Sequence, residues 1–319
     1  MSVSYDYSDV RELPYQNNYS YSYFNNKSLN NKSILSLMVV VTTLLGATSL
    51  SMSVLYLCQN KLIYPSWIKG ARNHVENPES FGIPYKRIKL ITKDKVSLEA
   101  YDMRIKNSLK DEKNQINTTV LILCPNSGNI GNFLPIAYKF YNLFNFNVIL
   151  YSYRGYGNSN GSPSETGLKK DADCIMNYLM NNKYHQNNRI LLYGQSLGGA
   201  IAIYIANKYP NFIDGMVIEN TFLSIPKMLN DHLKFNIKFL LHEIWNNEVL
   251  INQLRDDLPV LFLSGSKDEK ILPKQMETLY DKCSSDDKLI HKFPNGNHYN
   301  TINQPKYWAV IDKFLKEFN

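Results

Sequence analysis

The chain has 319 residues, 44% of them hydrophobic, and a net charge of +7, enough for one large domain with extensions. Cys58, Cys124, Cys174 and Cys283 are scattered; with no C-x-x-C pair and no Cys/His cluster, they argue against a structural zinc site and a disulfide framework. The positive charge is diffuse and no basic stripe interleaves with aromatics, so nucleic acid is not an expected partner. Mild attraction to an anionic membrane surface is the better use of that charge.

Residues 1–33 are polar and rich in Ser, Asn and Tyr, the composition of a disordered tail. Ser2 stands where N-myristoylation needs glycine. Residues 34–57 carry no charge. As a helix they would reach about 36 Å, against a hydrocarbon core of roughly 30 Å. Lys27 and Lys32 flank one end and Lys61 the other, while Tyr56 and Tyr64 stand where interfacial aromatics are expected. The reading is a single-pass transmembrane helix in the plasma membrane or an endomembrane; a buried core helix is the alternative. The flanking lysines are too evenly divided to set its orientation. Cys58, at the end of the span, is a candidate palmitoylation site, with an unmodified thiol the plainer reading.

From residue 60 to 319 the pattern is that of one domain in which strands and helices alternate. Short apolar or β-branched runs at 85–91, 96–105, 119–124, 147–151, 189–194, 215–219, 260–265 and 288–293 predict eight strands. The first two read as an antiparallel pair turned at Lys93-Asp94-Lys95, and 106–118 as a charged, Asn-rich loop. Helical spacing falls at 133–144, 165–180, 197–208, 274–282 and 307–318. Such alternation predicts an α/β fold: a mostly parallel eight-stranded sheet with helices on both faces and ligands at the carboxyl ends of the strands. Residues 220–258 exceed an ordinary crossover. Their apolar residues, among them Phe222, Leu223, Ile225, Met228, Phe235, Ile237, Leu240 and Leu241, suit either a helix on the sheet or a small cap lining an acyl pocket.

The chemistry centres on Gly194-Gln195-Ser196-Leu197-Gly198. It joins the run at 189–194 to the apolar helix at 197–208, as in a nucleophile elbow, where a sharp turn lifts a serine Oγ above the sheet. A serine needs a histidine to take its proton and a carboxylate to orient the histidine. Asp268 follows the run at 260–265 and His298 follows that at 288–293, both past strand ends on the same sheet edge. Ser196, Asp268 and His298 are therefore the candidate catalytic residues. Glu219 ends the preceding strand on that edge and is the rival acid. His291 lies inside a strand; His74, His185, His232 and His242 read as surface residues. Leu197 N–H is one candidate oxyanion donor. Asn126 is the other, because Pro125 has no N–H to offer. No metal or cofactor is expected.

Asn126-Ser127-Gly128-Asn129-Ile130-Gly131, Tyr153-Arg154-Gly155-Tyr156-Gly157, Gly194-Gln195-Ser196-Leu197-Gly198-Gly199-Ala200 and Glu219-Asn220-Thr221-Phe222-Leu223-Ser224-Ile225-Pro226 together resemble the α/β-hydrolase domain-containing protein 13 group. That group includes the fungal bud-emergence (Bem-type) proteins. The resemblance covers about residues 55–319 and departs from the group's usual pattern at Cys124-Pro125 and Ser152. It implies an α/β-hydrolase fold, an N-terminal membrane anchor, a triad at Ser196, Asp268 and His298, and acyl-thioesterase-like chemistry. The expected protein is thus a membrane-anchored serine hydrolase acting on acylated protein or lipid, with no obligate protein partner evident. An amide hydrolase of the same fold and a non-catalytic morphogenesis scaffold are the rivals.

Overall fold

The computed structural model describes residues 31–105, 117–233 and 238–317. The tail up to residue 30, the loop at 106–116 and Phe235 and Ile237 lie outside the described residues.

Helix α1 runs Asn31–Ile63, and its stretch Leu35–Ile63 is long and apolar enough to cross a membrane. The helix continues past Leu57, where the uncharged run ends: Gln59, Asn60 and Lys61 lower the local hydropathy, but nothing breaks the backbone until Pro65. The hydroxyls of the span are satisfied within the helix. Thr42 and Thr43 donate to Met38 and Val39 carbonyls at 2.8 Å, and Ser51 to that of Ala47 at 2.8 Å, which removes the cost of carrying them in an apolar medium. The chain divides into two compact units inside this helix, Met1–Ser51 and Met52–Asn319.

The second unit holds strands β1 (Tyr85–Ile91), β2 (Ser97–Met103), β3 (Thr118–Leu123), β4 (Asn147–Tyr151), β5 (Arg189–Gln195), β6 (Gly215–Glu219), β7 (Val260–Gly265) and β8 (Lys288–Phe293). They form one sheet in the order β1-β2-β4-β3-β5-β6-β7-β8. β1 and β2 pair antiparallel, as β2 does with β4; every later pairing is parallel. The central strands are buried throughout, as a parallel sheet covered on both faces requires. β1 buries only Ile88 fully, and its exposed Lys86, Arg87 and Lys89 suit an edge strand.

Helices α2 (Leu134–Leu143), α3 (Glu165–Asn181), α4 (Leu197–Lys208), α5 (Ile225–Asn230), α6 (Asn247–Ile251), α7 (Pro273–Lys282) and α8 (Tyr307–Glu317) complete the unit. α4 is the most buried of them, which explains an apolar sequence around its whole circumference. Ser164 caps α3, its Oγ accepting from Gly167 N–H at 3.1 Å. From β3 the chain crosses to β4 on one side; after β4 it returns to β5 on the other. The strand order reverses between β3 and β5, where ligand crevices form in open α/β sheets.

Candidate active site

Ser196 sits between β5 and α4 with φ 54° and ψ −116°, a backbone conformation that L residues avoid. Three contacts hold it there. Its N–H donates to Glu219 carbonyl at 2.9 Å, and its carbonyl accepts from Thr221 Oγ1 at 2.7 Å and Gly199 N–H at 3.0 Å. Gly198 is needed for close approach, since a Cβ there would lie 1.9 Å from the Leu123 carbonyl oxygen. The elbow is thereby pressed against the end of β3. Ser196 is 7% exposed and borders a cavity of about 940 Å³ together with Asn126, Gln195 and His298.

Asp268 lies in the turn after β7 and is buried. Its Oδ1 accepts from Lys270 and Ile271 N–H groups, both at 2.9 Å, and its Oδ2 lies 2.8 Å from His298 Nδ1. That pairing places the Nδ1 proton toward Asp268 and leaves Nε2 as the second ring nitrogen. The turn carrying His298 follows β8. It is fixed by Asn297 Oδ1, which accepts from Tyr299 and Asn300 N–H groups at 3.0 and 2.9 Å, and by Thr301 Oγ1 donating to Asn297 carbonyl at 2.7 Å. Gly265 allows the end of β7 to touch this turn: a Cβ there would meet Thr301 Oγ1 at 2.3 Å.

Glu219 does not face His298 as a partner. It is fully buried and accepts from Tyr307 OH at 2.5 Å, Tyr193 OH at 3.1 Å and Gln195 Nε2 at 3.0 Å. Burial pushes its carboxyl up to about 7, against the pull of those hydrogen bonds and of His298. The residues after it carry a role that pattern reading missed. Asn220, at φ 45°, donates through Nδ2 to Asn297 carbonyl and Thr301 Oγ1, and its Oδ1 accepts from Gly265 N–H at 2.8 Å. It ties β6 to the β7 end and to the histidine turn, while Thr221 steadies the elbow. The only sequence signal for this was the Glu219-Asn220-Thr221 string itself.

Asn126 and Leu197, the expected oxyanion donors, both border the site. The Asn126 side chain donates to Ile63 carbonyl at 2.7 Å, and its own carbonyl accepts from Tyr156 OH at 2.7 Å. As the first residue of α4, Leu197 has an N–H with no intrahelical acceptor.

Two aromatic or histidine assignments change. His185 is buried, not superficial: its ring bridges Thr119 Oγ1 and Asp102 Oδ1, each at 3.1 Å. Tyr64 is 1% exposed, not interfacial. It donates to Glu243 and accepts from Trp245 Nε1 at 2.7 Å, and burial followed by Glu243 holds its phenol far above the usual range. His232 borders the larger cavity and bonds Lys270 carbonyl. Cys58 is half-buried. Among the described residues, no group of three or more His, Cys, Asp or Glu side chains is placed to hold a metal ion.

A second cavity of about 590 Å³ reaches Ser196 and Leu197 and is otherwise almost wholly apolar, with Phe222, Ile225, Met228 and Leu229 of the β6–β7 crossover among its walls. The crossover therefore contributes walls to the space beside Ser196.

The fold and the strand-end site define an α/β hydrolase. A family model described as serine aminopeptidase, S33, matches residues 115–255. The membrane protein YNL320W of Saccharomyces cerevisiae is 50% identical over 86% of this chain and 94% of its own length. Protein bem46 of Schizosaccharomyces pombe is 41% identical over 86% of this chain and 91% of its own. The Pyrococcus furiosus esterase Pf2001 shares the fold at a TM-score of 0.61 and 19% identity, covering 79% of this chain and 99% of that one. The chain belongs to the family of α/β hydrolases that contains bem46 and YNL320W, in agreement with the resemblance drawn from its motifs.

Proposed function

We propose that the protein is a membrane-anchored serine hydrolase that cleaves esters or thioesters of acyl chains. Ser196 Oγ attacks the acyl carbonyl while His298 Nε2 takes its proton; Asp268 orients the ring and stabilises the imidazolium. The oxyanion that forms is held by Leu197 N–H and by a donor of the Asn126 loop. His298 returns the proton to the departing alkoxide or thiolate, leaving an acyl-enzyme. Water then attacks the acyl carbon with His298 as base, releasing the acid and restoring Ser196. In this reading residues 34–57 are the membrane span, 60–319 are the catalytic domain, and 220–258 are its cap.

The observation that carries the reading is an almost wholly apolar cavity of about 590 Å³ ending at a serine in a strained elbow. Its size falls within the roughly 300–1,000 Å³ range of small-molecule sites. The name of the relative YNL320W as a membrane protein supports the anchor, and the esterase neighbour supports the bond type. The test is labelling by a fluorophosphonate probe, expected for the wild type and lost in Ser196→Ala. A folded wild type that takes up no probe would refute it.

The description of the matching family model favours a second reading, hydrolysis of an N-terminal amide. An aminopeptidase must hold an ammonium group, and Glu269 is a carboxylate bordering the larger cavity. Faster turnover of aminoacyl amides than of fatty-acyl esters would select it.

A further inference from the structure

The last turns of α1 lie in two settings at once. Met52, Leu55, Gln59 and Leu62 recur at the three- and four-residue spacing that places side chains on one helix face, and this face borders the apolar cavity that reaches Ser196. The same residues belong to the stretch Leu35–Ile63 that is apolar enough to cross a membrane. The facing wall comes from the crossover, where Leu229, Leu240 and Leu241 line the cavity.

The stripe is apolar except for Gln59, which is 3% exposed. A buried carboxamide is costly unless its donors and acceptor are used. Here Oε1 accepts from His242 and Glu243 N–H groups at 2.9 and 3.2 Å, and Nε2 donates to Leu240 carbonyl at 3.2 Å. Beyond the helix, the Tyr64–Glu243 and Trp245–Tyr64 bonds continue the attachment. Glu165 Oε2 accepts from Ile244 and Trp245 N–H groups at 2.7 and 2.8 Å, so the crossover backbone at 240–245 is held from two sides.

We infer that the final turns of the membrane-candidate helix form one wall of the acyl-chain site, so that the substrates are long-chain fatty-acyl esters or thioesters and Met52 and Leu55 set the chain length. The inference rests on the serine-hydrolase reading above. A wall of methyl and methylene groups selects by burial, and each buried methylene is worth about fourfold in kcat/KM. The gain continues until the cavity is filled. A short acyl group leaves most of that wall uncovered.

The test uses the full-length protein in detergent with p-nitrophenyl butyrate, octanoate and palmitate. The wild type should prefer palmitate to butyrate. Met52→Trp and Leu55→Trp should each lower the palmitate-to-butyrate ratio of kcat/KM by about tenfold or more, by occupying space that the chain needs. Leu57→Trp, on the same helix but 77% exposed and outside the wall, should keep the wild-type ratio. Leu55→Ala enlarges the cavity and should raise the ratio of palmitate to octanoate, which covers the case in which the tryptophan variants do not fold. Variants that react with fluorophosphonate yet keep the wild-type ratios would overturn the inference and leave the serine reading intact. A wild type that neither hydrolyses these esters nor takes up the probe would overturn the reading itself.

Discussion

Glu219 ends β6 and Asp268 lies in the turn after the neighbouring β7, on the same edge of the sheet, yet their surroundings differ. Asp268 meets His298 and two backbone N–H groups. Glu219 is enclosed by two tyrosines and a glutamine. In the unfolded chain Glu219 ionises near the ordinary 4.5, but in the fold only near about 7. Between those values the folded protein keeps a proton that the unfolded chain has lost, so stability falls as pH rises through this window and levels off above it. The contribution approaches about 1.4 kcal/mol per pH unit at its steepest. Glu219→Gln should flatten the decline, as read from urea unfolding across the window; an unchanged slope would show that Glu219 is not its source. At this scale the candidate serine, aspartate and histidine were legible because each lies in the turn or loop that follows an apolar run. The partners of Glu219 were not, since Tyr307 is remote in sequence and reads locally as a helix residue.

Among the elements, α1 is both a candidate membrane span and, in its last turns, a wall of the apolar cavity. Gln59→Leu removes a carboxamide that satisfies two N–H groups and a carbonyl of the crossover. Stranding a buried backbone group such as Glu243 N–H costs about 1–3 kcal/mol, so the variant should unfold at lower temperature in detergent, whereas wild-type stability would contradict the clamp. The strands were legible as short apolar runs bounded by Gly, Pro and Asn, and the antiparallel β1–β2 pair was legible from its Lys-Asp-Lys turn. The end of α1 was not. Local hydropathy falls at Gln59 although the helix continues to Ile63, and the groups that make Gln59 and Tyr64 welcome lie in the crossover, far along the chain. Hydropathy alone could not distinguish an interfacial tyrosine from one buried against Glu243.

For the whole molecule, a helix apolar enough to cross a membrane is joined to an α/β-hydrolase fold. Under the proposed function, confinement to a bilayer would raise encounters with substrates held there by acyl chains. Alkaline carbonate should leave the protein in the membrane pellet; recovery in the supernatant would refute the anchor. The eight-stranded sheet needed only the alternation of runs and helices to be foreseen. What the sequence could not supply is the cavity, because its walls come from α1, the elbow and the crossover, segments that only the fold brings together. Covalent catalysis by Ser196 underlies the proposed function, and fluorophosphonate labelling of the full-length protein probes it at the reacting atom. One labelled serine is expected, identified as Ser196 by peptide mapping and abolished in Ser196→Ala. Labelling that persists in that variant, or its absence in a folded wild type, would contradict it.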